Sequence, residues 1–485
     1  TLDGTLFPYT TLFRSRSACS TGTTGWIPRS VPLSWQVRPP LLIVSVTLLV
    51  YLNSLSGVFQ FDDYNVIVNN PAVHGWSQWW RGVGGIRPLL KLSYTLNWTS
   101  GFGLIGFHLF NVLVHVVNAL LVYRLAQAVG RRSFRPGSAE RAAFIGALLF
   151  AIHPVQTEAI TYISGRSSSL AACFYLASLL CYLQGHRRDG PTWPQALSAI
   201  FFILALLTKE AAVTLPLALL LWELCFGEPH QGARAIWRRQ WPHWLILLAA
   251  VLALTCHPAY GKLIVTAPAL TTVLTQVDGV SYLLTRLLAF ASLNIDPDLH
   301  VQPVVSWPLA GKACALALLL GTGVWLLRRR PVPAFAILWL FLQLVPTNTV
   351  VVRWDIANER HLYLAGVGLF IAAGSGLERV LGLLPAKGRK LLLFLIFALL
   401  GLCAVFRNDD YRSQVMLWEA TALQSPAKAR VHNNLGYAYF LAGESARARQ
   451  SYLRAIQLRP DHPLALNNLR RLEESLRGKT GQKAH

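Results

Sequence analysis

Residues 107–129 read FHLFNVLVHVVNALLVYRLAQAV, an apolar run that contains a single arginine. A helix needs about 20 mostly apolar residues to cross a bilayer, so this stretch predicts a transmembrane helix. Comparable but often shorter runs recur along the 485-residue chain and predict about eleven transmembrane helices. The eleven candidates are residues 41–55, 107–129, 141–155, 169–185, 195–207, 211–226, 243–256, 311–327, 332–346, 362–381 and 391–406.

The composition also favours a membrane protein, because 53% of the residues are hydrophobic and only 14% are charged. Soluble domains carry about 25% charged residues. The formal net charge of +22 raises the question of nucleic-acid binding. The basic residues, however, come in short bursts between apolar runs, such as 187–188 and 328–330, as in the cytoplasmic loops of membrane proteins. We therefore predict no nucleic-acid partner.

These bursts also set the predicted orientation. With eleven spans, every burst lies on the same side, which is the cytoplasmic side by the positive-inside rule. Segment 282–293 is apolar enough for a further span, but that span would move residues 328–330 outside. We interpret it as an interfacial helix within an outer loop, 258–308. The outer face then receives the loop 57–106 and everything after Arg407.

The predicted fold class is all-α: a polytopic membrane helical bundle followed by a helical repeat module. Residues 5–15 read TLFPYTTLFRS, which matches a translated sequencing adapter, so we expect the start of the chain to lie outside the fold. The predicted division is 1–15 adapter artefact, 16–408 transmembrane domain with a catalytic outer loop 57–106, 409–478 tetratricopeptide-type module, and 479–485 disordered tail.

The repeat module is predicted from a 34-residue spacing. Pro426 precedes Pro460 by one repeat length, and Trp418 precedes Tyr452 by the same length. Small residues allow two antiparallel helices to approach closely, and aromatic residues fill the gap between them. The pattern predicts either a structural cap or a groove for an extended peptide, packed on the membrane domain or on a partner. Its full signature is Leu435, Gly436, Tyr439, Gly443, Ala448, Tyr452, Ala455 and Pro460.

Asp62 and Asp63 are the sharpest candidates for chemistry. They follow the first span on the predicted outer side, where carboxylates are costly and often functional. A carboxylate at this position could accept a proton from an attacking hydroxyl. The alternative is a helix cap or a loop salt bridge. The tryptophans at 76, 79 and 80 favour an interfacial helix over sugar stacking.

Further polar residues are predicted on the same face. Glu158 and His153 close the third span, and we interpret the histidine as a structural residue or substrate contact rather than a metal ligand. Lys209 either pairs with its neighbour Glu210 or faces an anion such as a lipid phosphate. Arg360 is a second phosphate candidate, because an arginine can bind phosphate oxygens in a bidentate manner. Arg166 lies at the start of the fourth span, and Arg87 lies just before the second span.

Several motifs occur in an order that resembles a known family. They are FDDYNVIVNNP, RPLLKLSYTLNW, GFHLFNVLVH, HPVQTEAITYISGR, LTKEAAVTLP and ERHLYLAGVG, followed by the repeat. Together they resemble the transmembrane and tetratricopeptide repeat-containing (TMTC-like) O-mannosyltransferases and their bacterial relatives, within the C superfamily of glycosyltransferases. The resemblance covers roughly residues 41–476.

The resemblance implies an inverting glycosyltransferase that takes a sugar from a polyprenyl-phosphate donor. Asp62 or Asp63 would be the catalytic base, and Glu158 would position acceptor or sugar. Lys209 and Arg360 would hold the lipid phosphate, with Arg166 as a weaker candidate, and Arg87 and His153 complete the expected substrate-binding and phosphate-binding set. The acceptor would be a hydroxyl, with Ser or Thr of an exported protein as the expected source, and the repeat module could recruit it. No cofactor is required, and a divalent metal is compatible but not needed.

The implied location is a bacterial inner membrane, with the catalytic face and the repeat module in the periplasm. Membrane lipid, the lipid-linked sugar and an acceptor protein are the expected partners, and mannose is one candidate sugar. A non-catalytic membrane scaffold that recruits partners through its repeats is the alternative hypothesis. A transporter ranks last, because transporters place their binding groups near the midplane and the polar residues here collect at one face.

Overall fold

The computed structural model describes residues 33–185, 193–228, 232–256, 268–348 and 355–482. Within these ranges the chain is helical and no strand occurs, which confirms the all-α prediction. The segment 1–15, predicted to be an adapter artefact, lies outside the described residues.

Nineteen α-helices occur in the described ranges, joined by short 3-10 and π turns. Their bounds are α1 Leu33–Val50, α2 Trp76–Arg81, α3 Pro88–Thr99, α4 Gly103–Gly130, α5 Pro136–Ile152, α6 Thr157–Ile160, α7 Arg166–Gln184, α8 Trp193–Thr208, α9 Leu215–Phe226, α10 Ala233–Cys256, α11 Ala269–Arg286, α12 Trp307–Leu326, α13 Pro331–Leu344, α14 Leu362–Leu381, α15 Ala386–Asp409, α16 Gln414–Gln424, α17 Ala429–Leu441, α18 Ser445–Leu458 and α19 Pro463–Gln482.

Six of the described helical stretches are long and apolar enough to cross a membrane. A seventh span results if the bent pair Pro136–Ile152 and Pro154–Ile160 is counted as one. The count of eleven is therefore not confirmed, although each predicted span coincides with helix. Some of these helices, such as α8 and α13, are apolar but shorter than a membrane span. The six are Arg38–Ser56, Gly103–Gly130, Ile163–Gln184, Trp307–Leu326, Glu359–Leu381 and Ala386–Arg412.

The predicted interfacial helix at 282–293 is misplaced. The helix in that region is α11, which ends at Arg286, and a separate 3-10 turn covers Phe290–Ser292. The periodicity of α11 is amphipathic, with Leu274 and Leu283 buried and Leu270 exposed. Apolar content alone does not reveal where such a helix begins. The helix α19 also continues to Gln482, into the segment for which the sequence predicts disorder.

A close crossing of α5 and α14 organises the centre of the bundle. A Cβ placed on Gly374 would lie within 2.6 Å of the Gly146 Cα, and a Cβ on Gly146 would lie 2.9 Å from the Phe370 carbonyl oxygen. Small residues of this kind let helix backbones approach in membranes. The crossing brings the residues that follow α5 beside the turn that precedes α14, so Glu158 and Arg360 become neighbours.

The turn between α5 and α7 is fixed by buried polar contacts. Asn111 on α4 donates to the Ile160 and Ile163 carbonyl oxygens at 3.0 and 3.3 Å. Its own side-chain oxygen accepts a bond from Arg166 Nε at 2.6 Å. Gly165 is needed here, because a Cβ would lie 2.9 Å from the Ala159 Cα. This turn carries Glu158 and therefore determines where its carboxylate points.

The C-terminal helices α16 to α19 form the expected antiparallel repeat. A Cβ on Gly436 would lie 2.6 Å from the ring of Tyr452, so glycine permits the close contact that the pattern predicts. Gly443 ends the turn between α17 and α18 with φ of +81°, a conformation that favours glycine.

The repeat module packs directly on the membrane bundle. One buried apolar cluster includes Trp418, Tyr439 and Tyr452 of the module together with Tyr162 of the bundle, and Phe61 packs against it. The rings of Phe61 and Trp418 meet edge to face at 5.6 Å. The side chain of Gln414 donates to Tyr64 Oη at 2.8 Å. Of the two placements that the sequence leaves open, the structure has the module on the membrane domain.

Candidate functional site

The two adjacent aspartates have different environments. Phe61 adopts a positive φ of 35°, which is uncommon for a residue with a side chain and is typical of functional sites. The Asp63 side chain turns inward and is wholly buried. Its carboxylate accepts bonds from the Gln60 amide at 2.9 Å, from the Ser164 amide at 2.8 Å and from the Ser164 hydroxyl. The Asp62 side chain keeps 37% of its surface exposed.

In both environments burial raises the pKa of the aspartate carboxyl group. Burial raises the pKa of Asp63 to about 7, against the lowering effect of its hydrogen bonds to Ser164 and Gln60. Burial also raises the pKa of Asp62, and the Arg360 guanidinium opposes that rise. Because Asp63 uses its oxygens to anchor the loop, Asp62 is the aspartate whose carboxylate is accessible to another molecule.

Arg360 lies between the two predicted acidic positions. Its Nη1 lies 3.4 Å from Glu158 Oε1, and its Nη2 lies 3.9 Å from Asp62 Oδ2. The backbone amide of Arg360 donates to Glu158 Oε2 at 3.0 Å. Glu158 is wholly buried, and a buried carboxylate needs such a partner. The predicted carboxylates and the predicted phosphate-binding arginine therefore converge in one cluster.

Tyr162 is also part of this cluster. Its hydroxyl accepts a bond from the Asp62 amide at 2.9 Å, and the Arg360 guanidinium lies 5.7 Å from the centre of its ring. Such a contact is favourable for a cation over an aromatic face. Tyr162 was not among the residues predicted from the sequence, although it lies within the motif HPVQTEAITYISGR. It orients both the base candidate and the arginine.

Arg360 also lines a cavity between α7, the α8–α9 corner, α13 and the start of α14. Its volume is about 430 Å³, including the solvent at its mouth. Arg360 and Lys209 both line it, together with Gln343 and Thr347. Lys209 Nζ donates to Ser168 Oγ at 2.8 Å and is nearly buried. Much of the remaining wall is apolar, including Ala171, Ala172, Ala212 and Leu364.

Two of the remaining basic candidates make contacts within the protein. Arg87 forms a bidentate ion pair with Glu210, at 2.9 Å from Nε and 2.6 Å from Nη2. Burial acts to raise the pKa of Glu210, but Arg87 outweighs it and lowers that pKa to about 2. The charge of Lys209, the partner predicted for Glu210, acts on the pKa of this carboxyl in the same direction as Arg87. This pair ties the start of α3 to the α8–α9 corner.

Arg166 and His153 occupy positions that hold the fold. The Arg166 side chain is wholly buried, and its nitrogens donate to Asn111, to Ser93 and to the Phe107 carbonyl oxygen. A guanidinium in this position supports the turn and is not directed at a ligand, so the phosphate role considered for Arg166 is not supported by its placement. His153 Nδ1 accepts from the Val155 amide at 3.2 Å, which fits its structural interpretation.

The cluster is surrounded by further charged residues, which were not predicted from the sequence as site residues. Glu359 is buried and accepts a bond from the Asn294 amide at 2.5 Å. Asp355 pairs with Arg430 of the repeat module at 2.7 Å. Within the described residues, no group of three or more His, Cys, Asp or Glu side chains is arranged to hold a metal ion.

Comparison with known proteins follows the same division of the chain. Residues 89–258 match the family described as dolichyl-phosphate-mannose-protein mannosyltransferase, and residues 429–462 match the tetratricopeptide repeat. The human protein O-mannosyl-transferase TMTC1 is 26% identical over 88% of this chain and 56% of its own length. The chain is therefore similar to TMTC-like protein O-mannosyl-transferases in its membrane part and to a tetratricopeptide repeat near its C-terminal end. The predicted resemblance is thereby confirmed.

Two other protein O-mannosyl-transferases align with different shares of the chain. The Caenorhabditis elegans protein O-mannosyl-transferase F38B6.6 is 25% identical over 90% of this chain and 65% of its own. Drosophila melanogaster Tmtc2 is 34% identical over 39% of this chain and 22% of its own. The chain thus spans 56% to 65% of the length of the human and nematode relatives.

Among solved structures, an acceptor-peptide-tethered oligosaccharyltransferase of Archaeoglobus fulgidus covers 84% of this chain and 57% of its own. The sequence identity is 14% and the TM-score is 0.40, a similarity too low to assign a fold or a function.

Proposed function

We propose that this membrane protein is an inverting glycosyltransferase that moves a sugar from a polyprenyl-phosphate donor to a hydroxyl group. The observation that carries the proposal is the placement of Arg360. One side of its guanidinium faces Asp62 and Glu158, and the residue also lines the cavity that contains Lys209. A proton acceptor and a phosphate-binding surface therefore meet at one side chain.

The cavity is suited to the phosphate end of a lipid-linked donor. Arg360 and Lys209 supply positive charge, and the alanines and Leu364 supply an apolar wall. A guanidinium binds two phosphate oxygens in a fixed geometry, whereas an ammonium acts as a point charge. Both cations would stabilise the charge that develops on the leaving phosphate, which is a large contribution to catalysis in a dry site.

In the proposed step, the acceptor oxygen attacks the anomeric carbon of the donor from the side opposite the phosphate. A new carbon–oxygen bond forms, and the bond from the anomeric carbon to the phosphate oxygen breaks. The phosphate leaves with the bonding electron pair, and the anomeric configuration inverts. Asp62 takes the proton of the acceptor hydroxyl, because its carboxylate is the more exposed of the pair and Asp63 is engaged by Ser164.

The similarity to protein O-mannosyl-transferases leads us to propose mannose as the sugar and a protein hydroxyl, on Ser or Thr, as the acceptor. We place the reaction on the non-cytoplasmic face of a bacterial inner membrane, with the repeat module in the periplasm. This sidedness rests on the distribution of basic residues along the sequence.

The test uses the full chain, purified in detergent, with polyprenyl-phosphate mannose and a peptide rich in serine and threonine. Asp62→Asn is expected to lower the transfer rate by at least about 10²-fold, the usual effect of removing a general base. Its thermal unfolding should match that of the unmodified chain, because the side chain anchors little. Asp461→Asn is the matched control, since this carboxylate is fully exposed on the module, where it pairs with Arg459.

Full transfer by Asp62→Asn would contradict the assignment of the base. Loss of transfer in Asp62→Asn and Asp461→Asn alike would indicate that the assay responds to general damage. Lys209→Met is expected to weaken donor binding and so raise the KM for the lipid-linked sugar more than it changes kcat.

A further inference from the structure

Helix α10 has two faces of different chemistry. One face turns towards the bundle, where the Arg239 guanidinium donates to Glu223 Oε1 at 3.2 Å. On the same face, His243 Nε2 lies 2.8 Å from Ser198 Oγ. These contacts set the rotation of the helix about its own axis, so the residues on the opposite face point away from the bundle.

The opposite face carries a continuous stripe of exposed side chains. Its members follow one another at intervals of three or four residues, which is the spacing of neighbours on one side of an α-helix. The first half of the stripe is basic and aromatic, and the second half is aliphatic. The stripe consists of Arg234, Arg238, Trp241, Leu245, Leu248 and Leu252.

The two arginines of the stripe are available to a ligand. Their neighbour Arg239 pairs with Glu223, whereas neither Arg234 nor Arg238 has a hydrogen bond or an ion pair among the described residues. Both line an open depression of about 780 Å³, including the solvent above it, together with Trp237. Two guanidinium groups one helical turn apart form a surface that suits the oxygens of a phosphate group.

The length of the stripe favours an anionic lipid over a soluble anion. Trp241 and Leu252 are eleven residues apart, which corresponds to about 16 Å along a helix. One leaflet of a bilayer contains about 15 Å of hydrocarbon, and tryptophan is typical of its boundary with the headgroups. A lipid headgroup on the arginines would continue into acyl chains beside the leucines. A free phosphate or a nucleic acid would leave the aliphatic half of the stripe uncovered.

We propose that this face of α10 binds an anionic phospholipid of the cytoplasmic leaflet, with the headgroup phosphate on Arg234 and Arg238 and an acyl chain along the aliphatic half of the stripe. The positive-inside rule predicts this end of α10 on the cytoplasmic side, where anionic lipids give the membrane surface a negative potential. Helix α10 carries none of the residues proposed for sugar transfer, so the lipid site does not depend on that function.

Photolabelling in a defined bilayer tests the proposal. The full chain is placed in nanodiscs of four parts phosphatidylcholine to one part phosphatidylglycerol, with a trace of either lipid carrying a photoreactive group in an acyl chain. Mass spectrometry of peptides gives the ratio of phosphatidylglycerol to phosphatidylcholine labelling on each helix. The ratio on residues 241–252 should exceed the ratio on a reference stripe of α4 by about ten-fold.

The reference stripe is matched in its exposure and lacks the arginines. It consists of Leu109, Leu113 and Val117, which are all exposed on one side of α4. Residues 101–117 contain no arginine or lysine, so lipid contacts there have no basic partner in the adjoining sequence. A difference between the two helices therefore measures the selection of the headgroup and not the exposure to lipid.

Substitutions separate the two arginines from general surface charge. Arg234→Gln with Arg238→Gln should lower the labelling ratio on α10 to that on α4, whereas Arg234→Lys with Arg238→Lys should retain most of it, because the charge is kept. Arg131→Gln with Arg132→Gln removes two exposed arginines from the same predicted side of the membrane and should leave the α10 ratio unchanged. Thermal unfolding in detergent should be the same for all these variants, because the substituted side chains are exposed.

Three outcomes would overturn the proposal. Equal ratios on α10 and α4 in the unmodified chain would mean that α10 contacts lipid without selecting a headgroup. A ratio on α10 that survives Arg234→Gln with Arg238→Gln, or that falls as far in the variant of Arg131 and Arg132, would mean that these two arginines do not hold the headgroup. Loss of the preference on addition of millimolar inorganic phosphate at constant ionic strength would show a site for the phosphate group alone.

Discussion

The ion pair between Glu158 and Arg360 provides the most quantitative prediction. Arg360→Gln removes the guanidinium that lies 3.4 Å from the buried Glu158 carboxylate. At an effective dielectric constant of about 20, two unit charges at that distance attract by about 5 kcal/mol before the cost of desolvation. Removing one partner of a buried pair costs about 3–5 kcal/mol, because the remaining charge is left uncompensated.

The assay is a double-mutant cycle followed by thermal unfolding in detergent. Arg360→Gln and Glu158→Gln should each lower the unfolding midpoint by about 5 °C for a chain of this size. The double variant should be more stable than the sum of the single effects predicts, since it leaves no unpaired buried charge. Arg459→Gln, at an exposed ion pair, should not change the midpoint measurably.

Strict additivity of the two substitutions would refute the reasoning. It would mean that the pair contributes no interaction energy and that Arg360 is not held by Glu158. The same outcome would remove the argument that Arg360 is oriented by Glu158 between the base candidate and the cavity.

Three further predictions concern neighbouring features. Burial raises the pKa of Asp62, and Arg360 opposes that rise, so the rate of transfer should fall as the pH drops through a midpoint above the ordinary aspartate range. Arg360→Gln should move that midpoint to higher pH. A pH–rate profile with no acid limb would contradict this prediction. Asp63→Asn should destabilise the protein by about 2 kcal/mol in thermal unfolding, because an amide cannot accept all the hydrogen bonds made to the carboxylate. Asp62→Asn should not destabilise it. Equal stability of the two variants would be inconsistent with the loop geometry. Gly374→Ala should lower the free energy of unfolding by about 1–3 kcal/mol, because the added methyl group forces α5 and α14 apart. Gly376→Ala adds a methyl group to open space on the same helix and should not change the stability. Equal effects of the two substitutions would show that the crossing is not tight.

Local periodicity predicted much of the architecture. Apolar runs mark helices because a buried or lipid-facing helix must be apolar over its length, and the repeat pattern at Gly436 and Tyr452 marks a close helix pair. The number of spans was less predictable. Hydropathy does not indicate whether a 14-residue helix such as α13 crosses a membrane, and it does not reveal the bend after α5.

The sequence predicted which residues could contribute to the candidate site, but it could not predict which partners each side chain contacts. Asp62 and Asp63 are equivalent in the sequence, and what separates them is Ser164, which lies 101 residues from Asp63. Arg166 was considered as a phosphate contact, but its environment is set by Asn111 and Ser93 on other helices. Such assignments depend on tertiary contacts between distant segments, which no local pattern encodes.

Because Phe61, Tyr162 and Trp418 belong to one apolar assembly, the repeat helices and the loop that carries Asp62 cannot melt independently. Heating or denaturant should release both together, and amide hydrogens on α16 and in the loop should exchange with a common opening energy. For protein engineering, the first helices of the module belong with the membrane domain, and a truncation placed before them would remove Trp418, against which Phe61 in the loop of Asp62 packs.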